Sequence, residues 1–497
     1  MTPHLSARSG RPGSVSSRDG KILVLMALLL PGMFGVAAII LDGGMLMLDA
    51  RSGQHATDAA ATAAALDTLL GTGNPTQTAA DYVHSINGLG DATVTVHSPP
   101  TTGRYAGQTG YVEVTAARTR ASRFAQAAGM SRTLAYKSRS VAGLENATGP
   151  AAIMILDPQP PQVNLGVLPL GLPSITPLLG GLEVLGLGAA RVNGAIIVNN
   201  RWGGFDENGD RCGVQDLLRH ACSCTPLLPL TRIKATDVYV VGGVDHPMAY
   251  GPLVTGDPSP LRANRRPVLD PYRNLPVPTT SADPVNVKNT YYGGVTVLNL
   301  PLLQPPTVLQ PGVYDWIQVV AGNVVFQPGV YIIRGKNPVT QIGLSVLVGT
   351  VKAEGVMFYF TNSAGYAANS GSPDSGDGET APVGPNVLTL LPSAVLNVGL
   401  LGSKYSPLNS PSSPFHGMMI YQRRQDRRPI LILNIDLLLG SDFSGNVYAK
   451  WGNAILAGVG TYRSAFCVGS LRILDVLDCR IEPLQYLPAA KEVFLVE

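Results

Sequence analysis

The chain has 497 residues, a net charge of +3, only 14% charged residues, 56 Gly, 40 Pro and a mean hydropathy of +0.17. This is too apolar for a disordered chain and too rich in turn formers for a helical one. The length allows two or three domains, and the small net charge argues against a nucleic-acid partner.

The first segment, residues 1–21, is a basic arm with Arg8, Arg11, Arg18 and Lys21 against Asp19. Ile22 to Leu41 then contains no charged residue and is bracketed by Lys21 and Asp42. Twenty helical residues span about 30 Å, the thickness of a bilayer's hydrocarbon core. Residues 22–41 are therefore predicted to form one transmembrane helix, which tolerates Pro31-Gly32 within it. The basic arm places the N-terminus in the cytoplasm and the bulk of the chain outside the inner membrane. A cleaved signal peptide is the alternative, but its apolar core runs to about 7–15 residues.

Residues 43–70 continue in a helical period. Ala56, Ala59, Ala63, Leu66 and Leu70 form one stripe, and Arg51, Gln54, Asp58 and Thr62 another. The alanine stripe either packs on its own domain or faces other membrane-anchored subunits. The run "RDGKILVLMALLLPGMFGVAAIILDGGMLMLDARSGQHATDAAATAAA" resembles the N-terminal module of TadG-like proteins of the Flp pilus (tight adherence) assembly systems. The matching features are the basic residue before the helix, Asp42 after it, and the Gln54–Asp58–Ala59–Ala60–Ala61 box, in which His55-Ala56-Thr57 departs from the usual residues. The resemblance implies a retained anchor, with Asp42, Gln54, Asp58, Ala59 and Ala63 as the assembly helix. It also implies other subunits of the apparatus as partners. No enzymatic activity is expected, because Asp436 and Asp442 are too few carboxylates for a carbohydrate-cleaving groove.

From 93 to 141, alternation predicts strands around Val94–Val96, Val112–Val114 and Leu134–Val141, with a short helix at Ser122–Ala128. Residues 42–145 thus read as a helix plus a small α/β domain. Across 146–497, short apolar runs recur between Gly, Pro, Asn and Ser. V-L-Q-P-G-V-Y at 308–314 returns as V-F-Q-P-G-V-Y at 325–331. Such recurrence predicts a large parallel β-helix-like solenoid, with Val313 beside Val330 inside the core and the tyrosines reaching solvent or a turn. A β-sandwich with two similar hairpins is the alternative.

Few residues suggest chemistry. Asp206, Asn208 and Asp210 alternate as in a calcium loop, but Arg211 and Leu217 break the pattern and a solvated turn competes. No other cofactor is expected. Cys467 and Cys479 are predicted to form a disulfide in an oxidising envelope. Cys212, Cys222 and Cys224 allow one pair, or a zinc site with His220 whose spacing is unusual. Arg423, Arg424, Arg427 and Arg428 read as a solvated turn or as a contact for an anionic envelope polysaccharide. No G-x-S-x-G, H-E-x-x-H or P-loop pattern occurs. The expected function is a membrane-anchored structural component of a Flp-type pilus or adhesion apparatus. The rival is a β-helix protein that binds or cleaves envelope carbohydrate.

Overall fold

The computed structural model describes residues 19–71, 73–122, 131–165, 180–215, 221–226, 230–299, 304–374, 378, 380–382, 387–398, 402–434, 442–474 and 478–497. The protein is mainly β, with one N-terminal helix that is long and apolar enough to cross a membrane. The chain divides into two units, Met1–Glu145 with Glu492–Glu497, and Asn146–Lys491. The last residues, Glu492–Glu497, belong to the first unit and not to the second.

In the first unit, helix α1 (Asp19–Leu70) runs unbroken for 52 residues, with Pro31 inside it. At 1.5 Å per residue it is about 78 Å long. Its first part exposes its apolar side chains, because no other described element covers them. Its last part lies on an antiparallel sheet of β1 (Thr93–His97), β2 (Tyr111–Ala121) and β3 (Thr133–Asn146), to which the final strand Lys491–Leu495 adds an edge. The expected helix at Ser122–Ala128 lies, from residue 123, outside the described residues. A short helix at Pro75–Asp81 starts where the Asn74 side chain accepts the Thr76 amide at 3.1 Å.

The second unit is built from parallel ladders in three columns. One contains Gly329–Ile333, Val356–Phe360 and Met418–Gln422. A second contains Leu344–Val346, Ala394–Asn397 and Ile430–Asn434. The third contains Thr307–Leu309, Asn323–Phe326 and Thr350–Ala353. Long strands bend at a corner and serve two columns: Gly312–Ala321 pairs through 312–314 with one strand and through 317–319 with another. Asn446–Gly458 does the same lower down. The two bent strands join six others into a closed parallel eight-stranded barrel of pairings.

The chain does not climb the stack in sequence order. Phe466–Leu474, late in the unit, pairs with Ala151–Ile155 and Leu182–Leu185, at its start. Early strands extend the first column to Leu261–Arg262 at one end, and Tyr291–Leu298 begins it at the other. Residues 263–290 cover the distance between those ends as a strap. Along it, Tyr239 donates to the Arg266 carbonyl, Asn446 to the Tyr272 hydroxyl and Tyr366 to the Pro278 carbonyl. Further on, the Thr290 carbonyl accepts from the Val313 amide at 2.8 Å.

The repeated Q-P-G-V-Y turn stacks, but not in the expected register. Before the turn, Val308 lies beside Val325, an offset of 17 residues. After it, Val313 lies beside Ile332 and Gly312 beside Tyr331, an offset of 19. Both faces of these strands are buried: Tyr314 and Tyr331 belong to the main core, and Val313 and Val330 lie in the cluster beneath the strap. The turn itself explains why tyrosine takes the main core. Tyr314 donates to the Gln310 carbonyl at 2.6 Å, and Tyr331 donates to that of Gln327 at 2.9 Å. A buried phenol placed four residues after the turn thus satisfies a corner carbonyl, which valine could not do.

Candidate functional site: the N-terminal helix and its clamp

The alanine-rich half of α1 approaches the sheet closely because its contact face lacks bulk. Ala56, Ala60, Ala61, Ala64 and Ala65 are buried against Val112, Val114, Ala116 and Ala142. Ala59 and Ala63, expected on the contact stripe, are half-exposed on its flank. The true face is rotated by about one position. The helix therefore packs on its own domain, and Ala59 and Ala63 border that contact without forming it.

The polar residues of the Gln–Asp box are not a solvent face. Gln54 Nε2 donates to Asp58 Oδ1 at 2.7 Å, to Ser140 Oγ at 2.9 Å and to the Arg139 carbonyl at 3.2 Å. Ser140 Oγ in turn donates to Asp58 Oδ1 at 2.5 Å. Gln54 and Asp58 thus close one four-residue helical step over a single serine of β3 and fix the helix in rotation and height. Nearer the apolar end, Asp49 pairs with Arg120 at 2.7 Å. Gly53 is buried at the crossing: a Cβ there would lie 2.5 Å from the Tyr136 ring. Asp42 is only 5% exposed.

The edge of the same sheet is locked by charge. Arg139 holds Glu113 at 2.6 Å and Glu497 at 2.6 Å, and the Arg104 amide donates to Glu497 at 2.7 Å. Burial alone would raise the Glu113 carboxyl. Hydrogen bonds from the Thr101 amide, Arg139, the Thr102 hydroxyl and the Thr101 hydroxyl outweigh it and hold the group at about 2.

The remaining candidates fare differently. Asp206 Oδ1 accepts the amides of Asn208 and Asp210, both at 2.9 Å, so this carboxylate closes its own turn. Among the described residues no group of three or more His, Cys, Asp or Glu is placed to hold a metal. The expected disulfide is a correction: Cys467 and Cys479 are not joined. Cys467 lies beneath the strap and Cys479 in the main core, on different columns, and their nearness in sequence does not carry across the corner. Cys212 and Cys222 approach separate carbonyls, of Gly242 and Asn200, and His220 lies outside the described residues. The arginine run is not a solvated turn. Arg424 is buried, donates to the Tyr448 hydroxyl at 2.9 Å, and donates to the strap carbonyls of Tyr272 and Leu275 at 2.6 and 2.9 Å. Arg427 pairs with buried Asp157 at 2.7 Å, and Arg423 with Asp374 at 3.0 Å. Nothing in the spacing of those arginines signalled these distant partners, the strap among them.

The helix thus combines an exposed apolar half, long enough to cross a membrane, with a half clamped to a sheet. Residues 20–67 match the sequence model of a family described as putative Flp pilus-assembly TadE/G-like, so this segment carries a Tad domain. No curated protein and no solved structure matches the chain.

Proposed function

We propose that the protein is a membrane-anchored structural component of a Flp-type pilus assembly apparatus. The observation that carries this reading is the coincidence of the Tad match at 20–67 with a helix exposed in its apolar half and clamped through Gln54 and Asp58 in the other. In this reading residues 22–41 cross the inner membrane, the N-terminus is cytoplasmic and both folded units lie outside. The second unit is a parallel β-helix that serves as a rigid spacer. The three parallel columns and the corner-turning strands support that architecture. The role is scaffolding and not catalysis, and other subunits of the apparatus are its partners.

The test has two arms. Alkaline phosphatase fused after Gly71 should be active in cells. A silent phosphatase with an active cytoplasmic reporter at the same point would reject the orientation. Deleting the chain from its native cell should abolish Flp-type pili, and restoring it should return them; unchanged piliation would reject the assembly role.

A further inference from the structure

The β2–β3 hairpin runs beside α1 toward the apolar end of the helix. Ser140 meets Gln54 and Asp58, Tyr136 lies against Gly53, and Arg120, paired across the hairpin with Leu134, meets Asp49. Each step toward the hairpin tip is thus a step down the helix. The hairpin remains paired beyond Arg120, because the Ser122 amide donates to the Arg132 carbonyl at 2.9 Å. Two further residues of strand carry Arg132 about 7 Å past the level of Arg120.

The exposed apolar surface of α1 does not end at Leu41. Met47 is 72% and Leu48 66% exposed, and Asp42, the only charge between Ile22 and Leu48, is buried. Ile22 to Leu48 measures about 40 Å along the helix. That is close to the ~40–45 Å of a bilayer with its headgroups, and beyond the ~30 Å of its hydrocarbon core. The Asp49–Arg120 pair therefore stands at the outer edge of the headgroup layer, and Arg132 reaches into it. Arg132 and Arg51 are both exposed. Residues 117–122 and 131–137 hold Arg118, Arg120, Arg132 and Lys137 and no acidic residue; Arg118 pairs with Asp91 and Arg120 with Asp49, so the cations this surface offers to a ligand are Arg132 and Lys137, with Arg51 on the helix.

We propose that the outer half of the β2–β3 hairpin, through Arg132 with Arg51, binds the phosphates of anionic phospholipid headgroups. Each cation at such a surface strengthens the contact roughly fivefold at low salt. The surface would set the height and tilt of the first unit on the membrane, which a single helix leaves undetermined. This inference rests on the membrane reading above.

The test uses the full chain reconstituted in phosphatidylcholine bilayers with and without phosphatidylglycerol. Amide exchange over 117–122 and 131–137 should slow about fivefold or more when phosphatidylglycerol is present. The slowing should shrink in Arg132→Gln and in Arg51→Gln, each measured separately, and should vanish at high salt. Equal exchange in the two lipids, or a slowing that survives both substitutions and high salt, would overturn the proposal. Failure of the chain to float with phosphatidylcholine vesicles would instead reject the membrane reading itself.

Discussion

Tyr331 shows how one side chain decides a corner. Its ring stacks on Tyr314 at 5.9 Å, and its hydroxyl donates to the carbonyls of Gln327 and Leu309. Tyr331→Phe leaves those carbonyls short of a donor and should cost about 1–2 kcal/mol. Tyr331→Ser also opens a cavity and should cost about 3–5 kcal/mol, read as a shift in the denaturation midpoint of the second unit. Val313→Asp places a carboxylate beneath the strap and should cost several kcal/mol as well. Glu113 makes a pH prediction for the first unit. Its folded value, about 2, lies below the ordinary value of 4.5. Its contribution is therefore complete above about pH 4.5 and is lost as pH falls through about 2. The shift corresponds to about 3 kcal/mol. Glu113→Gln should destabilise the first unit at neutral pH and flatten its acid dependence, as followed by denaturation from pH 7 to pH 2.

At the scale of the element, α1 was legible as a helix over its whole length, but its contact face was not. The run from Ala59 to Ala65 is alanine at every position except Thr62. With no large residue to break the symmetry, hydrophobic periodicity cannot choose between adjacent stripes. The choice comes from the sheet, whose Val112 and Val114 share one buried cluster with Ala56, Ala60 and Ala64. Ala60→Leu should overpack this contact and cost about 1–3 kcal/mol. Ala59→Leu, on the half-exposed flank, should leave thermal unfolding nearly unchanged. If it nevertheless abolishes pilus assembly, the flank faces another subunit; normal assembly in a folded variant would remove Ala59 from any interface.

At the scale of the whole second unit, the strap is the unexpected device. It ties strands that are consecutive in sequence but lie at opposite ends of the first column. Arg424 grips its middle through the carbonyls of Tyr272 and Leu275, while Asp270 receives the Tyr448 hydroxyl at 2.7 Å and Lys450 at 3.3 Å. Arg424→Ala leaves several buried acceptors unsatisfied and should cost about 3 kcal/mol or more. Limited proteolysis should then cut within 263–290 well before the strands unfold. A variant that resists cleavage as the wild type does would show that the strap is held by its apolar contacts alone.

The amino-acid sequence by itself determined the apolar helix, the Tad box and most strand positions, because hydrophobic period and turn residues act locally. Val356–Phe360 and Asn323–Phe326 fall where the alternation and flanking turns place them. The box of Gln54 and Asp58 was legible as a motif, but its clamp on Ser140 was not, because the serine lies more than eighty residues away. Only the tertiary structure decided which core each side of a strand enters. In the Q-P-G-V-Y turns, period-2 alternation is satisfied equally by valine or tyrosine in the main core; the corner carbonyl chose tyrosine, and the strap covers the valines. It also decided that the last strand completes the first unit, that Cys467 and Cys479 stay apart, and that Arg424 grips the strap while Arg423 and Arg427 pair with other distant carboxylates. These outcomes depend on which distant groups meet, and no local pattern encodes the partner of a hydrogen bond made across a hundred residues.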